Sequence, residues 1–145
     1  MLTRQETTRL WISTITKAEI LYGIGLLPAD KRREALESAA RQMFEFDFPG
    51  SCLAFDDEAA GFYATVVLGR RQAGLTTTTE DAQIAAIALC HQLPLATRNT
   101  RDFALIDGLS VIDPWGGRMM RLGSDVYQVA TYCIRQQRTV KRCGS

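Results

Sequence analysis

Residues 80–89 read EDAQIAAIAL, two acids followed by an almost unbroken apolar run. Acidic residues are favourable in the first turn of a helix, and alanine and leucine are good helix formers. A helix that is apolar on nearly every side has to be covered on all of those sides. The stretch therefore predicts the most buried helix of the protein, with Asp81 in its first turn.

Short apolar segments around this helix predict strands. They are separated by helical patterns, so the order along the chain is strand, helices, strand, helix, helix, strand, strand. Strands that return repeatedly across helices form a parallel sheet, which predicts a mainly parallel α/β sheet flanked by helices. The predicted strands are Leu10–Ile15, Cys52–Phe55, Leu93–Thr97 and Val111–Ile112.

Polar residues mark where the predicted helices begin and end. Thr16 and Glu19 have the spacing of a capping box, in which each side chain accepts from the other residue's backbone N–H. Asp30 predicts the start of a second helix, and Asp56 or Asp57 that of a third. Gly74 lies where a C-terminal glycine is expected for the third helix.

The composition is that of one ordinary globular domain. Of the 145 residues, 46% are hydrophobic and 23% are charged,. No apolar run reaches the roughly 20 residues of a membrane helix, and the start lacks the apolar core of a signal peptide, which predicts a cytoplasmic protein without a membrane partner. Four scattered cysteines and a single histidine, His91, argue against a zinc site, a disulfide framework and a nucleophilic triad,.

The formal net charge of +1 conceals an uneven distribution. Residues 1–115 carry 11 basic and 15 acidic side chains, whereas residues 116–145 carry 6 basic and 1 acidic. Any contact of the main body with nucleic acid is therefore expected to be local or mediated by a metal ion.

Four polar residues follow predicted strands or begin helices, and they are the candidate site. These are Glu19, Asp81, Asn99 and Asp102. Because ligands of open α/β sheets collect at the carboxyl ends of the strands, such residues can converge. Converging carboxylates repel each other unless a cation lies between them, and hard oxygen ligands select Mg²⁺ or Mn²⁺.

Each of these residues also has a purely structural interpretation. Glu19 fits the capping box, and Asp81 suits a helix start. Asn99 is typical of a turn, and Asp102 is typical of a cap for a short helix. Taken singly, the residues leave both interpretations open.

Four blocks in order resemble the VapC toxins, in particular their FitB-like branch. The resemblance spans about residues 10–115. The blocks are STITKAEILYGI (residues 13–24), EDAQIAAIA (80–88), LATRNTRDF (95–103) and VIDPW (111–115).

The resemblance implies a PIN domain, a three-layer fold with a mainly parallel sheet flanked by helices. It implies the toxin component of a type II toxin–antitoxin system, a ribonuclease that uses Mg²⁺ or Mn²⁺, is held inactive by an antitoxin and forms a homodimer. Glu19 and Asp81 match the family's metal-binding acids. Asn99 falls at a more variable polar position, with Asp102 nearby as a substitute or a cap.

The chain departs from the family at both ends. Family members begin with a central strand that carries a metal-binding aspartate, and Met1–Arg9 does not match that strand. The expected domain is therefore residues 1–115, incomplete at its N-terminus, with residues 116–145 as a basic extension that is not assigned to the domain. Two other functions stay open: a non-catalytic remnant that binds an antitoxin or a homologous toxin, and a general RNA-binding protein that uses the basic extension.

Overall fold

The computed structural model describes residues 2–47, 52–113, 120–122, 125–127 and 131–142, and it describes side-chain burial for residues 11–46 and 52–113. Strands and helices alternate along most of this length. In chain order they are β1 (Leu2–Ser13), α1 (Thr14–Gly25), α2 (Lys31–Gln42), β2 (Cys52–Leu53), α3 (Asp57–Gln72), α4 (Thr79–Cys90), β3 (Leu95–Thr97), β4 (Val111–Ile112), β5 (Met120–Leu122), β6 (Asp125–Tyr127) and β7 (Thr131–Arg142). A π-helical turn, Met43–Asp47, continues α2, and a 3₁₀ helix, Thr100–Phe103, follows β3.

Five of the strands form one sheet in the order β2-β1-β7-β3-β4. The pairs β1–β2 and β3–β4 are parallel, as expected for strands joined across helices,. Strand β7 lies between these pairs and runs antiparallel to both of its neighbours. The predicted α/β class is confirmed, and the sheet is mixed because β7 joins it.

The C-terminal residues differ from the sequence-based expectation. Residues 116–145 were not assigned to the domain from the sequence. The structure instead has a short hairpin of β5 and β6, followed by the twelve-residue strand β7. Cys133 of β7 is in register with Trp11 of β1 and with Leu95 of β3. The local sequence gives no sign of these partners because they are more than 35 residues away along the chain.

The first strand also has different bounds from those predicted. It begins at Leu2 instead of Leu10 and ends at Ser13 instead of Ile15. Its long N-terminal part pairs only with β7, with Leu2 opposite Arg142 at one end and Trp11 opposite Cys133 at the other. Pairing with a distant segment thus extends the strand into residues that lack an apolar pattern of their own.

Helix α4 is the most buried helix of the described residues, as predicted. Its residues 84–88 are at most 2% exposed, and Ala82 is fully buried. On one side of the helix, Ala82, Ile84, Ala85 and Ala88 belong to a core cluster that also contains residues of α3, β3 and the segment after β3, among them Val66, Leu95, Phe103 and Ile106. The alanines let neighbouring elements approach closely, so the helix fits between them without a polar face.

A second cluster of buried residues joins α1, α2 and β1, and it includes Ile12, Ile24 and Leu36. Helix α2 begins at the predicted cap, where the Asp30 carboxylate accepts from Arg33 N at 3.1 Å. Asp56 caps α3 in the same way. Within the described residues, none of these helices is both long and apolar enough to cross a membrane.

Candidate functional site

Asp81 lies in the first turn of α4, where the sequence predicted it. Thr78 caps this helix, and its hydroxyl accepts from the backbone N–H of Asp81 at 3.1 Å. The backbone at Asp81 is therefore held at the positive end of a buried helix. Its side chain is half-buried, so the carboxylate is positioned by the core while one side still reaches solvent.

Glu19 lies in the second turn of α1, and the predicted capping box is wrong. The cap is Ser13, whose hydroxyl accepts from the backbone N–H of Thr16 at 3.0 Å. Thr16 is buried inside the helix, and its own hydroxyl accepts from Ser13 Oγ at 3.1 Å. Since α1 has no acid in its first turn, the structural interpretation of Glu19 as a capping residue no longer applies.

Electrostatic interactions link the two acids. Burial raises the pKa of Glu19, and repulsion from Asp81 and Glu80 raises it further. Burial also raises the pKa of Asp81, with smaller upward contributions from Asp102 and Glu80. A hydrogen bond from Thr78 and the charge of Arg70 oppose these effects on Asp81. The fold therefore brings like charges from α1, α4 and the 3₁₀ helix within electrostatic range of each other.

Asn99 and Asp102 occupy the turn that follows β3, and both are exposed. The backbone N–H of Asn99 donates to Thr97 Oγ1 at 3.1 Å, and that of Asp102 donates to the Asn99 carbonyl at 3.1 Å. The Asn99 side chain forms no capping hydrogen bond with the 3₁₀ helix. Of the two residues, Asp102 is the one that acts on the pKa of Asp81.

The donor set suits a cation held by few protein ligands. Within the described residues, no group of three or more histidine, cysteine or acidic side chains is placed to hold a metal ion together. Mg²⁺, however, commonly keeps several waters and binds proteins through one or two carboxylates. Glu19 and Asp81 supply two hard oxygen donors whose mutual repulsion a divalent cation would relieve, so their chemistry fits Mg²⁺ or Mn²⁺.

The histidine and the nearest cysteine lie away from these acids. His91 follows the last residue of α4, about ten residues and so roughly 15 Å along the helix from Asp81,. Cys90 donates to Glu58 Oε2 at 3.7 Å, on the side of α3.

Four buried polar residues near the site did not stand out as candidates in the sequence. They are Ser13, Thr16, Arg70 and Thr97, each at most 3% exposed. Hydroxyls after a strand are ordinary cap signals, and a buried arginine cannot be told from its exposed neighbour Arg71 by position alone. A signal for Ser13 existed, because it directly follows the apolar end of β1.

Known proteins provide an independent comparison. The chain is 40% identical over 111 residues to the plasmid stability protein StbB of Pseudomonas syringae pv. tomato, which covers 77% of this chain and 79% of StbB. It is 34% identical over 106 residues to the VapC ribonuclease Y4jK of Sinorhizobium fredii, covering 73% of this chain and 75% of that protein. Toxin FitB of Neisseria gonorrhoeae is also 34% identical, covering 73% of this chain and 76% of FitB. No protein-family model matches the chain.

Solved structures agree with these relatives. A chain in the structure of FitAB bound to an IR36 DNA fragment superposes with a TM-score of 0.68 and 32% identity, covering 77% of each chain. VapBC-5 of Mycobacterium tuberculosis, described as a member of a family of toxin–antitoxin systems, gives a TM-score of 0.59 and 27% identity, covering 70% of this chain and 79% of that one. The similarity therefore extends over most of the length of both chains.

Proposed function

The chain belongs to the VapC family of PIN-type toxins, and from this premise we propose that it is the ribonuclease toxin of a type II toxin–antitoxin system and depends on a divalent metal ion. The observation that carries the proposal is that Glu19 of α1 lies close enough to α4 for the charge of Asp81 to raise its pKa, while Glu80 raises the pKa of both Glu19 and Asp81. Asp81 is half-buried and Glu19 is exposed, and a cation that binds between two such carboxylates relieves their repulsion. The names of two relatives support the proposal, since Y4jK is a VapC ribonuclease and FitB is a toxin.

Each polar residue of the site has a role in this proposal. Glu19 and Asp81 would hold Mg²⁺ or Mn²⁺, and the ion would supply Lewis-acid stabilisation of the charge that develops on a scissile phosphate. Asp81 is kept in place by the Thr78 cap. Asp102 adds a third negative charge from the exposed turn, and Asn99 offers an amide that can donate to a phosphate oxygen.

The direct test is cleavage of RNA by the purified full chain with Mg²⁺ or Mn²⁺ and with EDTA. We expect cleavage with the metal and none with EDTA. Asp81→Asn and Glu19→Gln remove a charged ligand with little change in shape, and each is expected to lower the rate about 100-fold or more. Glu34→Gln is the matched control, because Glu34 is an exposed acid of α2 outside the site and its loss should leave the rate unchanged.

The same cleavage assay distinguishes the contribution of Asp102 from that of Asn99. Asp102→Asn is expected to slow cleavage more than Asn99→Ala, since Asp102 is the residue that interacts electrostatically with Asp81. Cleavage that persists in EDTA, or that is the same in Asp81→Asn and in the unmodified chain, would rule out the proposed function.

A second function is binding without cleavage. It is favoured by the metal-ligand count, since the described residues hold no group of three acids at the site. In that case the chain would act by occupying an antitoxin or a homologous toxin. Folded protein that never cleaves RNA at any metal concentration, yet forms a stable complex with such a partner, would establish this alternative.

The proposed partners are an antitoxin, the RNA substrate and a second copy of the chain, in the cytoplasm. Several large apolar side chains are exposed, among them Tyr22 (70%), Leu26 (68%) and Phe46 (73%), and exposed apolar surface of this kind supports a protein partner,. FitAB and VapBC-5 are named as assemblies in the solved structures. Light scattering after gel filtration tests the homodimer, and co-purification with the protein encoded beside this one tests the antitoxin.

A further inference from the structure

Arg70 near the C-terminus of α3 is a buried cation that the proposed chemistry does not use. Arg70 is 3% exposed. Of the buried residues for which side-chain burial is described, it is the one that carries a charge. The next residue, Arg71, is exposed. Burial of a guanidinium group is unfavourable unless its donors are satisfied, so the surroundings of Arg70 show what the residue does.

The guanidinium group joins two separate loops. Its Nε donates to Thr77 Oγ1 at 2.5 Å, and its Nη2 donates to the Thr76 carbonyl at 3.3 Å. Its Nη1 donates to the carbonyl of Ala104. The first two partners belong to the loop between α3 and α4, and the third lies just after the 3₁₀ helix. A planar, rigid fork of donors can hold two such loops in a fixed relation, which a lysine cannot.

Both loops lead directly to acids of the site. Thr77 precedes Thr78, which caps α4 by accepting from the backbone N–H of Asp81. Ala104 follows the 3₁₀ helix that carries Asp102. The next residue, Leu105, has a φ of +59°, a left-handed conformation that is costly for leucine and has to be maintained by its surroundings,. Arg70 is also the cation that opposes the upward shift in the pKa of Asp81.

We propose that Arg70 is a positioning residue that clamps the loop before α4 to the loop after the 3₁₀ helix, and so fixes Asp81 and Asp102 in the geometry that binds the divalent ion. The inference rests on the proposed function. Arg70 touches neither substrate nor metal in this account, and it acts through Thr77 and Thr78 on one side and Ala104 on the other. Residues that orient metal ligands without binding the ion themselves typically lower metal affinity by about 10- to 100-fold when they are lost.

The test is calorimetric titration of the full metal-free chain with Mn²⁺, without RNA. Arg70→Met keeps most of the side-chain length but removes the donors, and we expect it to weaken Mn²⁺ binding by about tenfold or more. Arg70→Lys keeps the charge without the fork, and it should give a smaller loss. Arg71→Met is the matched control on the adjacent exposed arginine, and it should bind Mn²⁺ like the unmodified chain.

Two further measurements separate positioning from general loss of structure. Thr77→Val removes one acceptor of the clamp and leaves the buried arginine in place, so it is the variant that decides if Arg70→Met fails to fold. Circular dichroism spectra and Tm of Arg70→Lys, Arg70→Met and Thr77→Val, each compared with Arg71→Met, should show that Mn²⁺ affinity is lost in chains that are still folded.

Unchanged Mn²⁺ affinity in folded Arg70→Met, or in both Arg70→Lys and Thr77→Val if Arg70→Met is unfolded, would overturn the inference. Asp81→Asn distinguishes this failure from failure of the proposed function. If Asp81→Asn loses Mn²⁺ binding while the Arg70 and Thr77 variants keep it, the metal site stands and the clamp is refuted. If Asp81→Asn also binds as the unmodified chain does, both are refuted.

Discussion

The position of β7 at the centre of the sheet makes a proline substitution at Cys133 strongly destabilising. Cys133 is in register with Trp11 on one side and with Leu95 on the other, and Leu95 is fully buried. Proline there removes a backbone N–H from the sheet, losing about 1 kcal/mol of net hydrogen bonding and about 1–3 kcal/mol more for the neighbour's unsatisfied carbonyl. The free energy of unfolding should therefore fall by about 2–4 kcal/mol.

The assay is thermal unfolding followed by circular dichroism, supported by urea unfolding at room temperature. At about 2–4 °C for each kcal/mol in a chain of this size, Cys133→Pro should lower Tm by roughly 5–15 °C. Cys133→Ala controls for loss of the thiol.

Proline at Thr139 and at Val140 provides the second control, because these positions pair with β1 alone. Successive residues of a strand direct their N–H groups to opposite sides, so at least one of the two substitutions should be mild. If Cys133→Pro unfolds at the same temperature as Cys133→Ala, β7 does not occupy the centre of the sheet and the described topology is wrong.

Three further predictions concern the core and the acids. Ile87→Ala should lower the free energy of unfolding by about 2–5 kcal/mol, because Ile87 is fully buried,. Leu68→Ala, on the exposed side of α3, should change it by less than about 0.5 kcal/mol,. Equal effects of the two substitutions in urea unfolding would contradict the assigned core. Mg²⁺ at about 100 times its Kd should stabilise the chain by about 2.7 kcal/mol and raise Tm, and Asp81→Asn should abolish that rise; a Tm rise that survives the substitution would place the ion elsewhere. Burial first and neighbouring acids second raise the pKa of Glu19 and Asp81, so the folded chain binds these protons more tightly than the unfolded chain does. The protonated carboxyls therefore stabilise the fold fully below the ordinary pKa values of 4.5 and 3.8, and this stabilisation is lost as the pH rises through the raised values,. In EDTA, the decline in stability from about pH 4 to about pH 7 should accordingly be shallower for the double variant Glu19→Gln, Asp81→Asn, and equal slopes would remove the electrostatic argument.

Local signals predicted much of the helical structure. Asp30 and Asp56 cap their helices as expected, and Gly74, with a φ of +73°, ends α3 in the left-handed conformation that glycine tolerates,. The start of α1 was predicted three residues late because Ser13 and Thr16 are both good caps, and the sequence alone does not rank them. The structure selects Ser13, where the strand ends and the hydroxyl reaches the N–H of Thr16.

Long-range pairing explains what the sequence did not reveal. Strand β7 is defined by its pairing with β1 and β3, and its own residues carry no clear alternation of apolar and polar side chains. The same pairing accounts for the extension of β1 back to Leu2. Propensity describes a segment on its own, whereas the position of a strand in a sheet depends on partners that a local pattern cannot identify.

The candidate site was foreseen in part for the same reason. Position at strand ends and helix starts singled out Glu19, Asp81, Asn99 and Asp102, and the family resemblance added expected roles for them. The structure brings Glu19, Asp81 and Asp102 within electrostatic range of one another. Their assignment as metal ligands or catalytic residues stays a prediction. Arg70 was missed because one of its hydrogen-bond partners, the Ala104 carbonyl, lies 34 residues away along the chain, where a local pattern does not reveal it.

The central claim is that a divalent ion binds between Glu19 and Asp81. A crystal of the full chain soaked in Mn²⁺ tests it most directly, through the anomalous scattering of manganese. We expect an anomalous peak about 2.0–2.2 Å from one carboxylate oxygen of Glu19 and one of Asp81, a metal–oxygen distance typical of ions of this class. Crystals that bind Mn²⁺ at another place, or that show no peak at Glu19 and Asp81 under saturating metal, would contradict it.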